Sequence, residues 1–207
     1  MYQPRMRITD CAEVQTLLGP PMPNQVKKVI DHIDAHCKAW IARTPFIVLA
    51  SVGATGAMDV SPKGDQPGFV RVVDEHTLAI PDRPGNHRGD TLRNVLENPG
   101  VGIVFIVPKR REVVRVNGTA LLAKDPDLLS QMAVDGKLPN LAIVVRVREA
   151  FFHCGKSIIR SGLWEPERWG PVDGLPSYAQ ALKDHAASSD TVEAIHTRIE
   201  HNDLLLY

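Results

Sequence analysis

Residues 81–120, PDRPGNHRGDTLRNVLENPGVGIVFIVPKRREVVRVNGTA, compress a strand end, a tight turn, a short helix and two strands into one stretch. That order restricts the fold, because so short a helix between strands packs on the sheet it interrupts instead of founding a bundle. Pro84, Gly85 and Asn86 form the turn. A helix is expected over residues 89–97, with Leu92, Val95 and Leu96 as its apolar face. Asn98, Pro99 and Gly100 end it, since proline restricts the residue before it and glycine tolerates positive φ. The apolar run 101–107 reads as a strand buried on both faces. After a basic turn, the strand beginning at residue 113 carries Arg115 between valines.

The neighbouring segments keep the two-residue period of strands. Residues 46–52, 58–63, 69–73, 77–80, 101–107, 113–122 and 141–152 are separated by Gly-, Asp- and Pro-containing turns. Tight turns, with long excursions only at the two ends, predict an antiparallel barrel of about six strands, mainly β with flanking helices. A small helix is expected near residues 126–133. The whole reads as one domain: residues 1–44 as N-terminal helices packing on the barrel, 45–165 as the core, and 166–207 as a helical C-terminal extension.

At the N-terminal end, Thr9 or Asp10 caps a short helix that closes near Gly19, and a proline-rich connector follows. A longer helix is expected over residues 24–42, with Val26, Val29, Ile30, Ile33, Trp40 and Ile41 as its stripe. His32 and His36 stand four apart there. That spacing suits a metal, but the zincin pattern needs Glu where this chain has Ile33, so no metal site is assigned. Near the other end a short helix is expected over residues 157–162, then helices from residue 176, and Leu204, Leu205, Leu206 and Tyr207 are expected to dock on a core or a partner.

Charge and cysteine usage exclude several classes. Lys+Arg and Asp+Glu both total 24, so no overall field draws the chain to nucleic acid or a membrane surface. No apolar run approaches the roughly 20 residues that span a bilayer. The three cysteines, Cys11, Cys37 and Cys154, are far apart with no CxxC, which fits reduced thiols in a cytoplasmic protein. The first residues lack the apolar core of a signal peptide.

Candidate chemistry collects first at the turn. Asp82, Arg83, Asn86, His87 and Arg88 sit between a strand end and a helix start, where unpaired N–H groups and the helix dipole favour an anion. The turn reads either as a phosphate seat using Arg88 and Asn86, or as a capped surface turn whose Arg and Asp pair with each other. Arg71, Arg115, Arg146 and Arg148 lie mid-strand, either on a solvated face or lining an interface or anionic cleft. Lys156 and Arg160 fall on one helix face with Trp164 a turn later. The group suits a flat anionic ligand, or it is a surface helix with Trp164 as an apolar plug.

Four segments, SPKGDQPGFVRV, IPDRPGNHRGDTLRNVLENPGVGIVF, VRVNGTA and FFHCGKSIIRSGLW, together resemble the FMN-binding split-barrel proteins of the pyridoxamine 5′-phosphate oxidase-like family. They are similar in particular to a bacterial flavin-binding subgroup, and they span about residues 45–165. The resemblance implies a six-stranded antiparallel split β-barrel and a homodimer with FMN in a cleft between subunits. It nominates Ser61, Pro62 and Lys63 along the flavin, Pro81 and Asp82 at the ring and ribityl chain, and Asn86 and Arg88 at the phosphate. Arg115, Lys156, Arg160 and Trp164 are implied to come from elsewhere on the cleft, with the second subunit as their source. The oxidase itself has an Arg-x-Val-Leu-Leu-Lys strand, a Ser-Arg-Lys turn and a C-terminal Arg-x-His signature, where this chain has MDVSPK, NHR and no such signature.

The function implied is an FMN-dependent oxidoreductase moving hydride or electrons to or from a small molecule, with NAD(P)H as a candidate donor. A non-catalytic flavin-binding or flavin-sequestering protein, or a binder of haem or a deazaflavin, is the alternative. Flavin hydride chemistry needs an open ring face and no side-chain acid or base, so no catalytic residue is assigned.

Overall fold

The computed structural model describes residues 2–207. Seven strands form one antiparallel sheet: β1 (Phe46–Val52), β2 (Met58–Gly64), β3 (Arg71–Asp74), β4 (Thr77–Pro81), β5 (Gly100–Ile106), β6 (Val113–Ala123) and β7 (Ala142–His153). Their order is β2-β1-β5-β6-β7-β4-β3. The expectation of six strands is therefore corrected to seven, because both arms of the short β3–β4 hairpin pair. The sheet is also open in its ladders: β2 and β3 are its two edges, and they share no ladder among the described residues. Side chains bridge what the main chain leaves apart. Lys63, at the end of β2, lies 3.6 Å from Asp82 just past β4, and Asp65 accepts from Arg83 Nε at 2.7 Å.

Eight helices flank the sheet: α1 (Cys11–Leu18), α2 (Pro23–Lys27), α3 (Ala35–Ile41), α4 (Asp90–Glu97), α5 (Pro126–Ser130), α6 (Lys156–Ser161), α7 (Tyr178–His185) and α8 (Val192–Asp203). Asp10 caps α1 as expected, its carboxylate accepting from Ala12 N. None of the described helices is long and apolar enough to cross a membrane.

The long helix expected over residues 24–42 is broken in two. Between α2 and α3 the chain runs extended along β7: Ile30 N donates to Ala150 O at 3.1 Å, and Ala150 N donates back at 2.7 Å. Ile33 N then donates to Glu75 O, and the Asp34 carboxylate opens α3 by accepting from Cys37 N. Main-chain pairing thus overrides the helical period across the break. Of the expected stripe, Ile33 and Ile41 are buried and Ile30 and Trp40 pack against the core, whereas Val26 and Val29 are exposed; α3 buries Cys37 as well. His32 lies in the break, paired with Asp31, so it does not share a helix with His36. Among the described residues no three His, Cys, Asp or Glu side chains gather as a metal site.

The main core lies between one sheet face and α3 and α4. Ile47, Leu49, Ile103, Phe105, Val114, Val116, Leu78, Ile80, Ile143 and Val145 meet there. Each such side chain contributes about 1.5–3 kcal/mol on leaving water. Strand β5 buries Val101, Ile103 and Phe105, but leaves Gly102, Val104 and Ile106 half-exposed. The expectation that it is buried on both faces is corrected. The doubly covered strand is β4, whose Ala79 joins Ala142, Leu129 and Met132 under α5. All three cysteines are free; burial pushes the Cys37 thiol up to about 12, which keeps it protonated.

Candidate functional site

A cavity of about 580 Å³ opens between β2, the end of β4, the turn that follows, and the start of α4. Its size falls within the range of small-molecule sites. The strand β2 supplies one wall with inverted polarity. Asp59, Ser61 and Lys63 point inward and are half-buried, while Met58, Val60 and Pro62 point outward and are exposed. A strand that turns its polar side chains into the molecule needs something polar there to meet them.

The opposite wall is Pro81, Asp82 and the turn. His87 at φ 57 and Gly89 at φ 67 both take left-handed backbone, which reverses the chain into α4. Asn86 accepts from Arg88 N at 3.0 Å, closing the turn on itself. Arg88 Nε donates to Asp90 Oδ2 at 2.6 Å, and Arg93 donates to the other oxygen of Asp90 at 2.6 Å. Arg88 stands 72% exposed, so this pair is a surface one that solvent screens. The hydrogen bond from Arg88, with that from Arg93, holds the Asp90 carboxyl below the usual range.

Both readings of the turn are therefore partly realised. Arg88 and Asp90 pair, as in a capped turn. Yet α4 begins at Gly89 with no side-chain cap among the described residues, and Gly89, Asp90, Thr91 and Leu92 line the cavity. These residues carry the first-turn N–H groups, which have no partner within a helix, and they lie at the positive end of the helix dipole.

Seven of the residues singled out from sequence line this one cavity: Ser61, Pro62, Lys63, Pro81, Asp82, Asn86 and Arg88. Four do not. Arg115 is half-buried on the opposite sheet face, its guanidinium 5.1 Å from the Phe151 ring. Lys156 and Arg160 are exposed on α6, and Trp164 donates its indole N–H to Arg110 O at 2.8 Å. His87 lines the cavity, whereas His153 pairs with Val113 at the far end of β7.

Arg83, named from sequence as part of the turn, lines the cavity too, and so do Asp59, Thr91 and Asn140, which were not singled out. The two-residue alternation through Ser61 and Lys63 reaches Asp59, so that signal was present. Asn140 arrives from the loop before β7 and carries no local signal. Leu96, expected on the apolar face of α4, is exposed; Thr91 is buried in its place. Lys63, Arg83 and Arg88 each face a carboxylate, so the wall is close to neutral.

A family model described as pyridoxamine 5′-phosphate oxidase matches residues 33–154. Among solved structures, HupZ of Group A Streptococcus is 22% identical with a TM-score of 0.48, the match covering 58% of this chain and 93% of that one. A putative pyridoxamine 5′-phosphate oxidase from Lactobacillus delbrueckii is 22% identical (TM-score 0.47; 59% and 95% covered). An FMN-binding protein from Syntrophomonas wolfei is 12% identical (TM-score 0.46; 56% and 82% covered). No curated protein matches.

Proposed function

The chain belongs to the pyridoxamine 5′-phosphate oxidase family, and from that premise we propose that it is an FMN-dependent oxidoreductase whose flavin occupies the cavity beside α4. One observation carries the reading: a single cavity joins the polar face of β2 to the uncapped first turn of α4. That donor set fits a phosphate ester on a polar tether. Arg88 is exposed enough to leave Asp90 for a phosphate, whose oxygens accept the guanidinium fork as a charge-assisted pair. The first-turn N–H groups and Asn86 complete the seat. Ser61 and Lys63 lie along the ring, and Lys63 favours negative charge at the ring edge nearest to it. Pro81 and Asp82 border the opposite side. Bound there, FMN supplies hydride and electron transfer, with a small molecule or NAD(P)H as the other partner.

The outer sheet face supports a homodimer as part of this reading. Pro62, Val48, Val104 and Arg115 lie side by side across four strands, beside exposed Val60 and Met58. A second copy seated there brings its own Arg115, Lys156, Arg160 and Trp164 towards the cleft.

The test is an absorption spectrum of the purified protein with and without added FMN. A flavin band that bleaches on NADPH supports the oxidoreductase. A band that no nicotinamide bleaches supports a flavin-sequestering protein, and a protein that ignores FMN overturns both.

A further inference from the structure

Helix α4 meets the β1–β2 hairpin through polar side chains at every third residue. Thr91 Oγ1 donates to Asp59 Oδ2 at 2.5 Å, Asn94 Nδ2 donates to Ser51 Oγ at 3.0 Å, and Glu97 Oε2 accepts from Ala54 N at 3.0 Å. Residues three apart share a helix face, so these bonds form one seam running along the helix and down the hairpin. Thr91 and Ser51 are buried, and Val95 is the only fully buried apolar side chain that α4 contributes.

The hairpin leaves room for this seam at Gly53, which is itself buried. A Cβ there would stand 2.9 Å from Asn94 Oδ1 and 3.2 Å from Glu97 Oε2. The φ of Gly53 is not positive, so glycine serves there for clearance and not for backbone freedom.

An apolar seam would hold the helix at many nearly equal offsets. Hydrogen bonds satisfied at one offset and broken at the others fix a single position: a lost partner is costly at the buried Thr91 and Ser51, and the exposed bond from Ala54 N to Glu97 adds the last point of register. What that position sets is how far the uncapped first turn of α4 stands into the cavity.

Resting on the reading that a flavin phosphate sits at that turn, we propose that Asn94 and Glu97 are positioning residues, seated on Ser51 and the Ala54 amide with Gly53 as clearance. None of these five lines the cavity, so any effect they have on the ligand travels through α4.

Riboflavin shares the ring of FMN and lacks its phosphate, so it separates positioning from general stability. Dissociation constants for FMN and riboflavin, with the melting temperature of the apoprotein, are measured for the wild type, Gly53→Ala, Glu97→Ala and Glu97→Gln. The wild type is expected to prefer FMN. Gly53→Ala and Glu97→Ala lower FMN affinity about tenfold while riboflavin affinity changes by less than about threefold. Glu97→Gln keeps the acceptor for the Ala54 amide and restores the wild-type ratio. Variants that keep the wild-type ratio, or weaken both ligands equally, overturn the proposal. A wild type that does not distinguish FMN from riboflavin instead removes the phosphate seat itself, and the proposal with it. Should Gly53→Ala fail to fold, the two exposed Glu97 variants decide the question.

Discussion

Tyr207 donates its hydroxyl to Asp65 Oδ1 at 2.5 Å, although 142 positions separate the two residues. Asp65 is almost completely buried, its side chain 1% exposed, and its other oxygen holds Arg83. The Arg83 guanidinium also lies 5.2 Å from the Tyr207 ring. Of the four C-terminal residues expected to dock on a core or a partner, Tyr207 makes the attachment within the chain, while Leu204, Leu205 and Leu206 are exposed on it. Tyr207→Phe keeps the ring and removes the donor. It should cost about 1–3 kcal/mol, the usual penalty for a buried acceptor left short of a partner. Thermal unfolding reads the loss, and faster proteolysis of the segment after α8 should accompany it.

Asp65 also predicts an acid limb. Burial pushes its carboxyl up, but hydrogen bonds from Tyr207 and Gln66 and the pair with Arg83 outweigh burial and hold it below its ordinary value of 3.8. A carboxyl lowered on folding stabilises the fold above its unfolded value, and that contribution disappears as pH falls from 3.8 through the lower folded value. The wild-type melting temperature should therefore drop steeply below roughly pH 4. Asp65→Asn should melt lower at neutral pH and show a shallower acid limb. Parallel limbs would assign the acid transition to other carboxyls.

Arg88 and Asp90 should act in opposite directions on flavin affinity. Arg88→Ala removes a cation from the proposed phosphate seat and should weaken FMN binding about tenfold or more. Asp90→Asn releases Arg88 and removes a like charge from the first turn of α4, so it should tighten FMN binding. Fluorescence titration of both variants checks the signs. Unchanged affinity in both would place the phosphate elsewhere.

On the proposed twofold arrangement, Val60→Lys puts a charge onto the outer sheet face at its edge strand β2. Val60 is 62% exposed, so the single chain tolerates the change. Sedimentation should show a monomer with an unchanged circular dichroism spectrum and weaker flavin binding. A variant that sediments with the wild type would move the interface off this face.

Gly118 sits at the bulge between β6 and β7, where a Cβ would stand 2.1 Å from Arg146 O. That neighbour is main chain and cannot swing aside. Gly118→Ala should cost about 3 kcal/mol, lowering the melting temperature by roughly 6–12 °C, or abolish soluble protein.

The strands and α4 were legible because their signals are local. Alternation marks the strands, and α4 starts one residue later than expected because Gly89 becomes its cap. The break between α2 and α3 was not legible, since Ile30 and Ile33 keep a helical period while their main chain pairs with Ala150 and Glu75. The turn itself was read as a site from its residues, but Ser61, Pro62 and Lys63 of β2 were joined to it by resemblance, and the cavity brings the two together. Arg115, Lys156, Arg160 and Trp164 were grouped with them by resemblance alone, and within one chain they lie elsewhere. Thr91, Asn94 and Glu97 were hidden for another reason: the apolar period of α4 draws attention to Leu92, Val95 and Leu96, and polar residues that bury against a hairpin look like ordinary solvated ones.

Pro62 lies midway along β2, an edge of the open sheet. Proline has no N–H, so a foreign strand arriving at this border finds the row of donors interrupted at its centre. That edge of the sheet is thereby guarded against lateral growth into a fibril, although Met58 and Val60 stand exposed along it.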